Sequence, residues 1–156
     1  MFCKLAFDNL GKAVAVKLRN GICCSSVSFS GILYKATAAL PSGLNPRMRA
    51  IAQGWRAEAG GDDAAVVRRA LEWIDRDFSY SLDVPPSGRN AVDDFLFETQ
   101  VGFCQHFSSA FANLMRAAGI PSRVVLGYAG GYRNRFGEYW VVRKMDAHAW
   151  TEVWLP

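Results

Sequence analysis

One segment of the sequence is both strongly periodic and sharply bounded, and it constrains the fold more than any other. Apolar side chains recur there at intervals of three and four residues: Phe103, Phe107, Ala110, Phe111, Leu114, Met115 and Ala118. This spacing places them on one face of a helix. Gly119 and Pro121 follow in the order that ends helices, with glycine just past the last turn and proline soon after. The segment therefore predicts an amphipathic helix packed against another layer.

Two earlier segments are also predicted to be helices. Asn45-Pro46 is a favourable helix start, because an asparagine side chain can cap and proline is tolerated at the first position. Gly60-Gly61 ends this helix, and Asp62 or Asp63 caps the next one. The apolar positions at helical spacing are Leu44, Met48, Ile51 and Trp55 in the first helix and Val67, Ala70, Leu71, Ile74 and Phe78 in the second.

Three strand-like runs come after the third helix, at residues 123–128, 138–143 and 147–155. A turn-rich stretch at residues 130–134 is predicted to link the first two. Helices followed by consecutive strands indicate an α+β fold, with helices packed on an antiparallel sheet.

Composition sets the broad class of the chain. The 156 residues suit one domain, and a hydrophobic content of 51% favours a globular protein over a disordered one. No apolar run approaches the ~20 residues that cross a bilayer, and the N-terminus is a poor match to a signal peptide. We therefore expect no membrane contact from the chain itself. The net charge of +4 lies in residues 1–35, with no basic cluster on one element, so a nucleic-acid partner is not expected.

The leading segment, residues 1–33, differs in composition from the rest of the chain. It holds three of the four cysteines, Cys3, Cys23 and Cys24, and it prefers lysine to arginine, whereas the remainder prefers arginine. The spacing of the three cysteines fits neither a zinc site nor a disulfide framework. We interpret the segment as compositionally foreign, assign it no function, and expect it to pack poorly against the domain at residues 40–156.

Cys104 is the first candidate for chemistry. It lies at the start of the third helix, where unpaired N–H groups and the helix dipole favour an anion. A thiolate, which is the nucleophilic form, is stabilised in such a place. The alternative is a small buried hydrophobic residue, which is the common role of a free cysteine.

His148 is the second candidate. Alternation along the last strand run places it on one face with acids and indoles, which is typical of a cleft wall, while small and apolar residues occupy the other face. The alternative is a surface histidine on a half-exposed strand. The only other histidine, His106, lies two helical positions from Cys104 and should point about 200° away around the axis. His148 is then the remaining base for the thiol.

These residues occur in motifs that resemble the transglutaminase-like family. The runs are GFCQHFSSAFANLMRAAGIPSRVVLGY and DAHAWTEVWL. The matching positions are Gly102, Cys104, Arg116, Ala117, Gly119, Ile120, Pro121, Arg123, Gly127, Tyr128, His148, Trp150, Glu152 and Val153. Upstream, LPSGLNPR and VDDFLFETQVGFC are similar to the extracytoplasmic domain of bacterial membrane-anchored protein-glutamine gamma-glutamyltransferases. The likeness covers residues 40–156.

The resemblance implies a papain-like core, an extracytoplasmic location and a catalytic triad of cysteine, histidine and aspartate. The family's aspartate lies on the strand after the histidine strand, and no residue before Pro156 matches it. Asp146, two residues from His148, is a poor substitute. We therefore interpret the domain at residues 40–156 as incomplete at its C-terminus, and we expect impaired activity and an exposed sheet edge beside the His148 strand.

The implied reaction is acyl transfer through a thioester on Cys104, with His148 as base, a glutamine carboxamide as donor and an amine or water as acceptor. The substrates would be proteins or peptides, and no metal or cofactor is required. The Cys104 N–H and one further donor would bind the oxyanion, and Tyr80 is a candidate for that donor or else a core residue. Two alternatives stay open: a cysteine peptidase or amidase, and a catalytically inactive binding domain.

Overall fold

The structure is a computed structural model that describes residues 38–155 in full and only the backbone of strands β1 (Phe2–Phe7) and β2 (Ala13–Val16). The four helices in the fully described part are α1 (Pro46–Glu58), α2 (Asp63–Asp77), α3 (Ala91–Asp94) and α4 (Cys104–Ala117). The strands there are β3 (Ser79–Tyr80), β4 (Val101–Gly102), β5 (Ser122–Tyr128), β6 (Tyr132–Arg133), β7 (Trp140–Val141) and β8 (Ala147–Trp154). A π-helical turn spans Phe95–Thr99, and a 3₁₀ turn spans Lys144–Asp146.

The main sheet has the strand order β2-β1-β8-β5, and every neighbouring pair is antiparallel. In the β5–β8 register, Ser122 pairs with Val153 and Gly127 pairs with His148. Helix α4 packs against β8 and β5. This arrangement confirms the predicted α+β fold, with helices on an antiparallel sheet.

The core is centred on α4, as the apolar periodicity predicts. Within the described residues, its buried apolar members from this helix and its end are Phe107, Ala110, Phe111, Ala112, Leu114, Met115 and Ala118. Phe103, the first residue of the predicted stripe, is only half-buried because it is the N-cap of the helix. Gly119 adopts a φ of 79°, and the Ile120 N–H donates to the Met115 carbonyl over 2.9 Å, so the predicted glycine stop is confirmed.

Helix α1 begins where the sequence predicts, but it is capped differently. Asn45 is at the N-cap with a φ of 51°, and its side chain makes no cap bond to its own helix. The Asp93 carboxylate instead accepts the N–H groups of Arg47 and Met48, over 3.0 and 2.8 Å. The Asn45 Oδ1 in turn accepts the N–H of Val92 over 3.2 Å. The prediction of a local asparagine cap was therefore wrong, because an acid distant in sequence reaches these donors. Asp62 caps α2 as predicted, accepting the Ala65 N–H over 3.0 Å.

The middle strand run forms a smaller element than predicted. Only Trp140–Val141 is a strand, and it pairs with β6, which lies inside the stretch expected to be a turn. Strand β5 pairs directly with β8, so the β6–β7 pair forms a separate two-stranded sheet between them in sequence.

Strand β1 occupies the edge of β8 that the sequence analysis expected to be exposed. Phe2 pairs with Trp154 and Leu5 pairs with Thr151, in antiparallel register. This pairing differs from the expectation that residues 1–33 pack poorly on the domain. The physical reason is that an open edge strand offers a row of unpaired N–H and C=O groups to any extended segment. Most of the leading segment, including Cys23 and Cys24, lies outside the described residues.

Candidate active site

Cys104 is the first residue of α4, and the segment before it is held tightly. Gly102, the last residue of β4, is buried and lies two residues before Cys104. A Cβ atom on Gly102 would lie 2.7 Å from the His106 Cβ and 2.8 Å from the Phe95 Cε2. Contacts that short are not tolerated, so a glycine is needed two residues before the thiol. Cys104 itself is half-buried, at a helix start whose first N–H groups have no partner within the helix.

His148 is the second residue of β8, and it lines the same cleft as Cys104. The cleft has a volume of about 310 Å³ and lies where the end of β5 and the start of β8 pass the start of α4. Leu126 and Tyr128 form part of its wall, and their side chains are exposed. Neither residue was predicted to belong to the site, although their alternation along β5 places them on one face.

The two faces of β8 have different roles. Ala149, Thr151 and Val153 are buried on the face toward α4. The Thr151 hydroxyl donates to the Ser108 carbonyl of α4 over 2.7 Å, which fixes the strand against the helix. His148 lies on the alternate face with Trp150 and Glu152, as the alternation predicts. The cleft is therefore formed at the end of the sheet and not beneath its centre.

The loop that joins α4 to β5 explains other matching positions of the family motif. The Arg116 guanidinium donates twice to the Ser122 carbonyl, from Nε over 3.0 Å and from Nη2 over 2.8 Å. The Ser122 hydroxyl donates to the Ala112 carbonyl over 2.8 Å. Arg123 then forms an ion pair with Glu152 on the adjoining strand, with Nη2 and Oε2 2.7 Å apart. These bonds set the position of β5, and through it of β8, relative to α4.

Tyr80 also lies next to Cys104. The Cys104 backbone N–H donates to the Tyr80 hydroxyl oxygen over 3.4 Å. Burial raises the pKa of Tyr80 above its ordinary value, and the hydrogen bond from the Cys104 N–H opposes that effect. The hydroxyl therefore stays protonated at neutral pH.

His106 lies in different surroundings from the cleft. It lines a second pocket with Phe95 and Ala91, and its Nδ1 accepts the Phe103 N–H over 3.4 Å. Its ring meets the Phe103 ring edge-on at 4.4 Å. Burial lowers the pKa of His106. The geometry gives it a capping role at the start of α4.

Asp146 is bound by an arginine. It belongs to the 3₁₀ turn before β8, and its carboxylate accepts the Arg143 backbone N–H over 2.8 Å and the Arg143 Nη2 over 2.9 Å. These hydrogen bonds hold the pKa of Asp146 below its usual value. It lies immediately before β8, which begins at Ala147, the first residue of the predicted strand run.

A thiol at the start of a buried helix and an imidazole on an antiparallel strand, in one cleft, define a transglutaminase-like core. The chain belongs to the Transglutaminase-like superfamily, whose family model matches residues 49–156. That match covers α2, α4, β5, β8 and all of α1 except its first three residues. It therefore includes both Cys104 and His148.

Two curated proteins are similar to the chain. It is 48% identical over 118 residues to a protein-glutamine gamma-glutamyltransferase of Pseudomonas aeruginosa, and the alignment covers 75% of this chain and 18% of that protein. It is also 43% identical over 86 residues to the uncharacterized protein YebA of Bacillus subtilis, covering 51% of this chain and 12% of that protein. The chain therefore spans less than a fifth of the length of either relative.

Two solved structures of the periplasmic domain of TgpA from Pseudomonas aeruginosa have the same fold. One is superimposed with a TM-score of 0.77 at 44% identity and covers 83% of this chain and 45% of that domain. The other, bound to ethylmercury, gives a TM-score of 0.75 at 43% identity and covers 83% of this chain and 46% of that domain. Within the described part of the chain, no helix is both long enough and apolar enough to span a membrane.

Proposed function

We propose that the domain transfers the acyl group of a glutamine side chain through a thioester on Cys104, with His148 as the base. The observation that carries the proposal is that the first residue of α4 and the second residue of β8 line one cleft, which is open to solvent. A nucleophile and its base must come within hydrogen-bond reach of each other in the substrate complex. The similarity to a protein-glutamine gamma-glutamyltransferase supports glutamine as the donor.

The first half of the reaction forms the thioester. His148 takes the proton of the Cys104 thiol, and the sulfur adds to the carboxamide carbon, so that a C–S bond forms and the carbonyl electrons move to the oxygen. When the carbonyl re-forms, the C–N bond breaks and the imidazolium gives its proton to the departing nitrogen. Ammonia leaves, and the acyl group stays on Cys104.

The second half regenerates the thiol. An amine adds to the thioester, His148 accepts its proton, and collapse yields the new amide and free Cys104. Water in place of the amine gives the glutamate side chain, so transfer and hydrolysis share every step up to the thioester. The exposed wall of Leu126 and Tyr128 gives the cleft an apolar side that a protein or peptide chain can cover.

We infer the location and the boundaries from the relatives and from composition. The similarity to two structures of the periplasmic domain of TgpA supports an extracytoplasmic site of action. Residues 40–156 form the transglutaminase-like domain, and residues 1–33 have no assigned function.

An amine-incorporation assay tests the proposal. The chain is incubated with a glutamine-containing peptide and a fluorescent primary amine, and ammonia release without amine is measured in parallel. Cys104→Ala should abolish both products, and His148→Gln should lower both by at least about a hundred-fold. Cys3→Ser is the matched thiol control and should retain the full rate. Ammonia release that survives Cys104→Ala would refute the nucleophile assignment.

A further inference from the structure

A β-hairpin, residues 130–145, projects from the rim of the cleft. The Ala129 N–H donates to the Asp146 carbonyl over 2.7 Å and extends the β5–β8 ladder beyond Tyr128 and Ala147, which both line the cleft. The hairpin lies between these two ends in sequence, and its strands β6 and β7 pair with each other. A segment bound along the hairpin would therefore pass the mouth of the cleft.

The tip of the hairpin is ordered by its own hydrogen bonds. The Asn134 N–H donates to the Tyr139 carbonyl over 3.0 Å, and the Phe136 N–H donates to the Asn134 Oδ1 over 2.8 Å. The Asn134 amide also donates to the Tyr139 hydroxyl oxygen. The hairpin therefore presents its side chains in a defined arrangement.

Both faces of the hairpin carry exposed aromatic side chains. Register partners share a face, so Trp140 lies with Arg133 on one face and Tyr132 lies with Val141 on the other. Trp140 and Tyr132 are both exposed, and Phe136 at the tip is fully exposed. No hairpin residue belongs to the buried core of the described part of the chain. Exposed apolar surface that is concentrated in this way marks an interaction site.

The composition of the hairpin favours a protein as the partner. Aromatic residues and arginine are enriched at the centres of protein interfaces, and tryptophan, tyrosine and arginine contribute most of the binding energy there. Residues 130–145 hold four aromatic rings and three arginines.

The charge of the hairpin indicates which kind of protein segment it fits. It has four basic residues and one acid, and the Oε1 atom of that acid lies 4.0 Å from the Arg133 Nη2. Arg143 is paired with Asp146. Arg135 and Lys144 have no acidic partner among the described residues. These two charges complement an acidic segment, and they are too few to neutralise a nucleic-acid backbone.

We propose that the hairpin docks an acidic segment of the protein that carries the donor glutamine, and that docking presents this glutamine to the cleft. The inference rests on the proposed function. Contacts made outside the cleft strengthen the binding of long donors and leave short donors unaffected, because only a long donor reaches them. A second copy that docked through the same hairpin would bring like charges together, which disfavours it as the partner.

The experiment compares donors of different length and charge in the amine-incorporation assay with the full chain. Two peptides carry one central glutamine and the same apolar residues, flanked either by glutamates or by arginines, and the short donor is benzyloxycarbonyl-glutaminyl-glycine. We expect kcat/KM for the glutamate-flanked peptide to exceed that for the arginine-flanked one at least about ten-fold at low salt. The preference should shrink at high salt, because salt screens exposed charges.

Three variants locate the preference on the hairpin. Arg135→Glu combined with Lys144→Glu should abolish it, and Trp140→Ala should lower kcat/KM for both peptides about ten-fold. Both variants should use the short donor within about two-fold of the wild-type rate, which shows that they are folded. Arg68→Glu makes a similar charge change on the exposed side of α2 and should leave all three donors unaffected.

Direct binding separates the docking surface from the reaction. The fluorescence anisotropy of the labelled glutamate-flanked peptide is measured with Cys104→Ala, alone and combined with Trp140→Ala. Binding that needs Trp140, without amine incorporation by the wild-type chain, would overturn the proposed function and leave the docking surface standing. Amine incorporation at equal rates from both peptides, or an equal effect of Trp140→Ala on long and short donors, would overturn the docking surface alone.

Other occupants of the hairpin would be recognised in the same samples. Binding to phosphatidylglycerol vesicles that is lost in Trp140→Ala, with no binding of the peptide, would assign the hairpin to a membrane surface. Self-association that is lost in Trp140→Ala, again with no binding of the peptide, would assign it to a second copy of the chain. Either result overturns the inference.

Discussion

The indole of Trp150 lies over Gly127 on the neighbouring strand. A Cβ atom on Gly127 would be 2.8 Å from the Trp150 Cη2 and 2.9 Å from Cζ3. Gly127 is also the register partner of His148, two residues before the tryptophan. Because Gly127 has no side chain, the Trp150 ring can lie against its strand, next to the proposed base His148.

Gly127→Ala should disturb the cleft more than the fold. The indole must move to accept the new methyl group, at a cost of about 1 kcal/mol in the free energy of unfolding. Because Trp150 is close to His148 on the same strand face, we expect amine incorporation to fall about ten-fold. Urea unfolding and the incorporation assay measure the two effects.

Gly54→Ala is the matched control for that prediction. Gly54 lies inside α1, and a Cβ there meets nothing within 4 Å. Alanine should stabilise the helix by about 0.5–1 kcal/mol and leave the reaction rate unchanged. Equal rates of amine incorporation for Gly127→Ala and Gly54→Ala would show that the position of Trp150 does not affect the site.

Asp93 should be one of the most sensitive positions for stability. It is buried, and its carboxylate accepts the first free N–H groups of α1 from Arg47 and Met48. Asp93→Ala leaves the buried Met48 N–H and the part-buried Arg47 N–H without their partner, which should cost about 2–4 kcal/mol in the free energy of unfolding. Chemical denaturation monitored by circular dichroism gives the value.

Two variants sharpen this measurement. Asp93→Asn keeps one acceptor oxygen, so its loss should be about half as large. Asp94→Ala removes only an exposed bond from the Gly88 N–H, and it should cost less than about 1 kcal/mol. Similar losses for Asp93→Ala and Asp94→Ala would contradict the capping role.

His106 should make stability depend on pH. Burial lowers the pKa of His106 in the folded chain, whereas its pKa in the unfolded chain is about 6.5. Between these two values of pH, the unfolded chain binds more protons than the folded one. Stability is therefore fully present above about pH 6.5 and declines as the pH falls through that value toward the lower folded pKa. The change should be seen in urea unfolding between pH 7.5 and 5.5.

His106→Gln isolates this contribution, because a glutamine at this helix position can still accept the Phe103 N–H. The variant should lose less stability than the wild type over the same pH interval. Parallel pH curves for the two chains would show that another group is responsible.

Cys104 should be the fastest thiol of the chain to react with iodoacetamide. It is half-buried at a helix start and lines an open cleft. Labelling at neutral pH, followed by peptide-level mass spectrometry, compares it with Cys3, Cys23 and Cys24 in one sample. In 6 M guanidinium chloride the four rates should converge, and equal rates in the native chain would contradict an activated thiol.

Local patterns predicted the helices well, because their information is contained within a few turns. The stripe of α4, the glycine stop at Gly119 and the Asp62 cap of α2 were all found from sequence. The capping of α1 by Asp93 was not predictable, since the acid and the helix start are far apart in sequence. The β1–β8 pairing was missed for a similar reason, because composition carries no information on which edge an extended segment will meet.

For the candidate site, the sequence indicated residue types and spacing, and the tertiary contacts added the rest. Cys104 and His148 were selected from a helix start and a strand face, and the structure places both along one cleft. The wall residues Leu126 and Tyr128 were not assigned to the site, although Tyr128 matches the family motif, because an exposed apolar strand residue has no distinctive local pattern. The hydrogen bonds between Arg143 and Asp146 in the turn before β8 were not predictable, because strand alternation carries no information about the turn.

The pairing of Leu5 with Thr151 has a consequence for the order in which the protein folds. Helix α4 and its glycine stop depend on local contacts, so they can form early. The outer edge of the His148 strand is closed by a segment almost the whole chain length away, and contacts of such separation form late. During folding, the Cys104 thiol is thus presented on a formed helix before the strand that carries the proposed base is fully secured, and we expect the proposed acyl transfer to begin only when the sheet is complete.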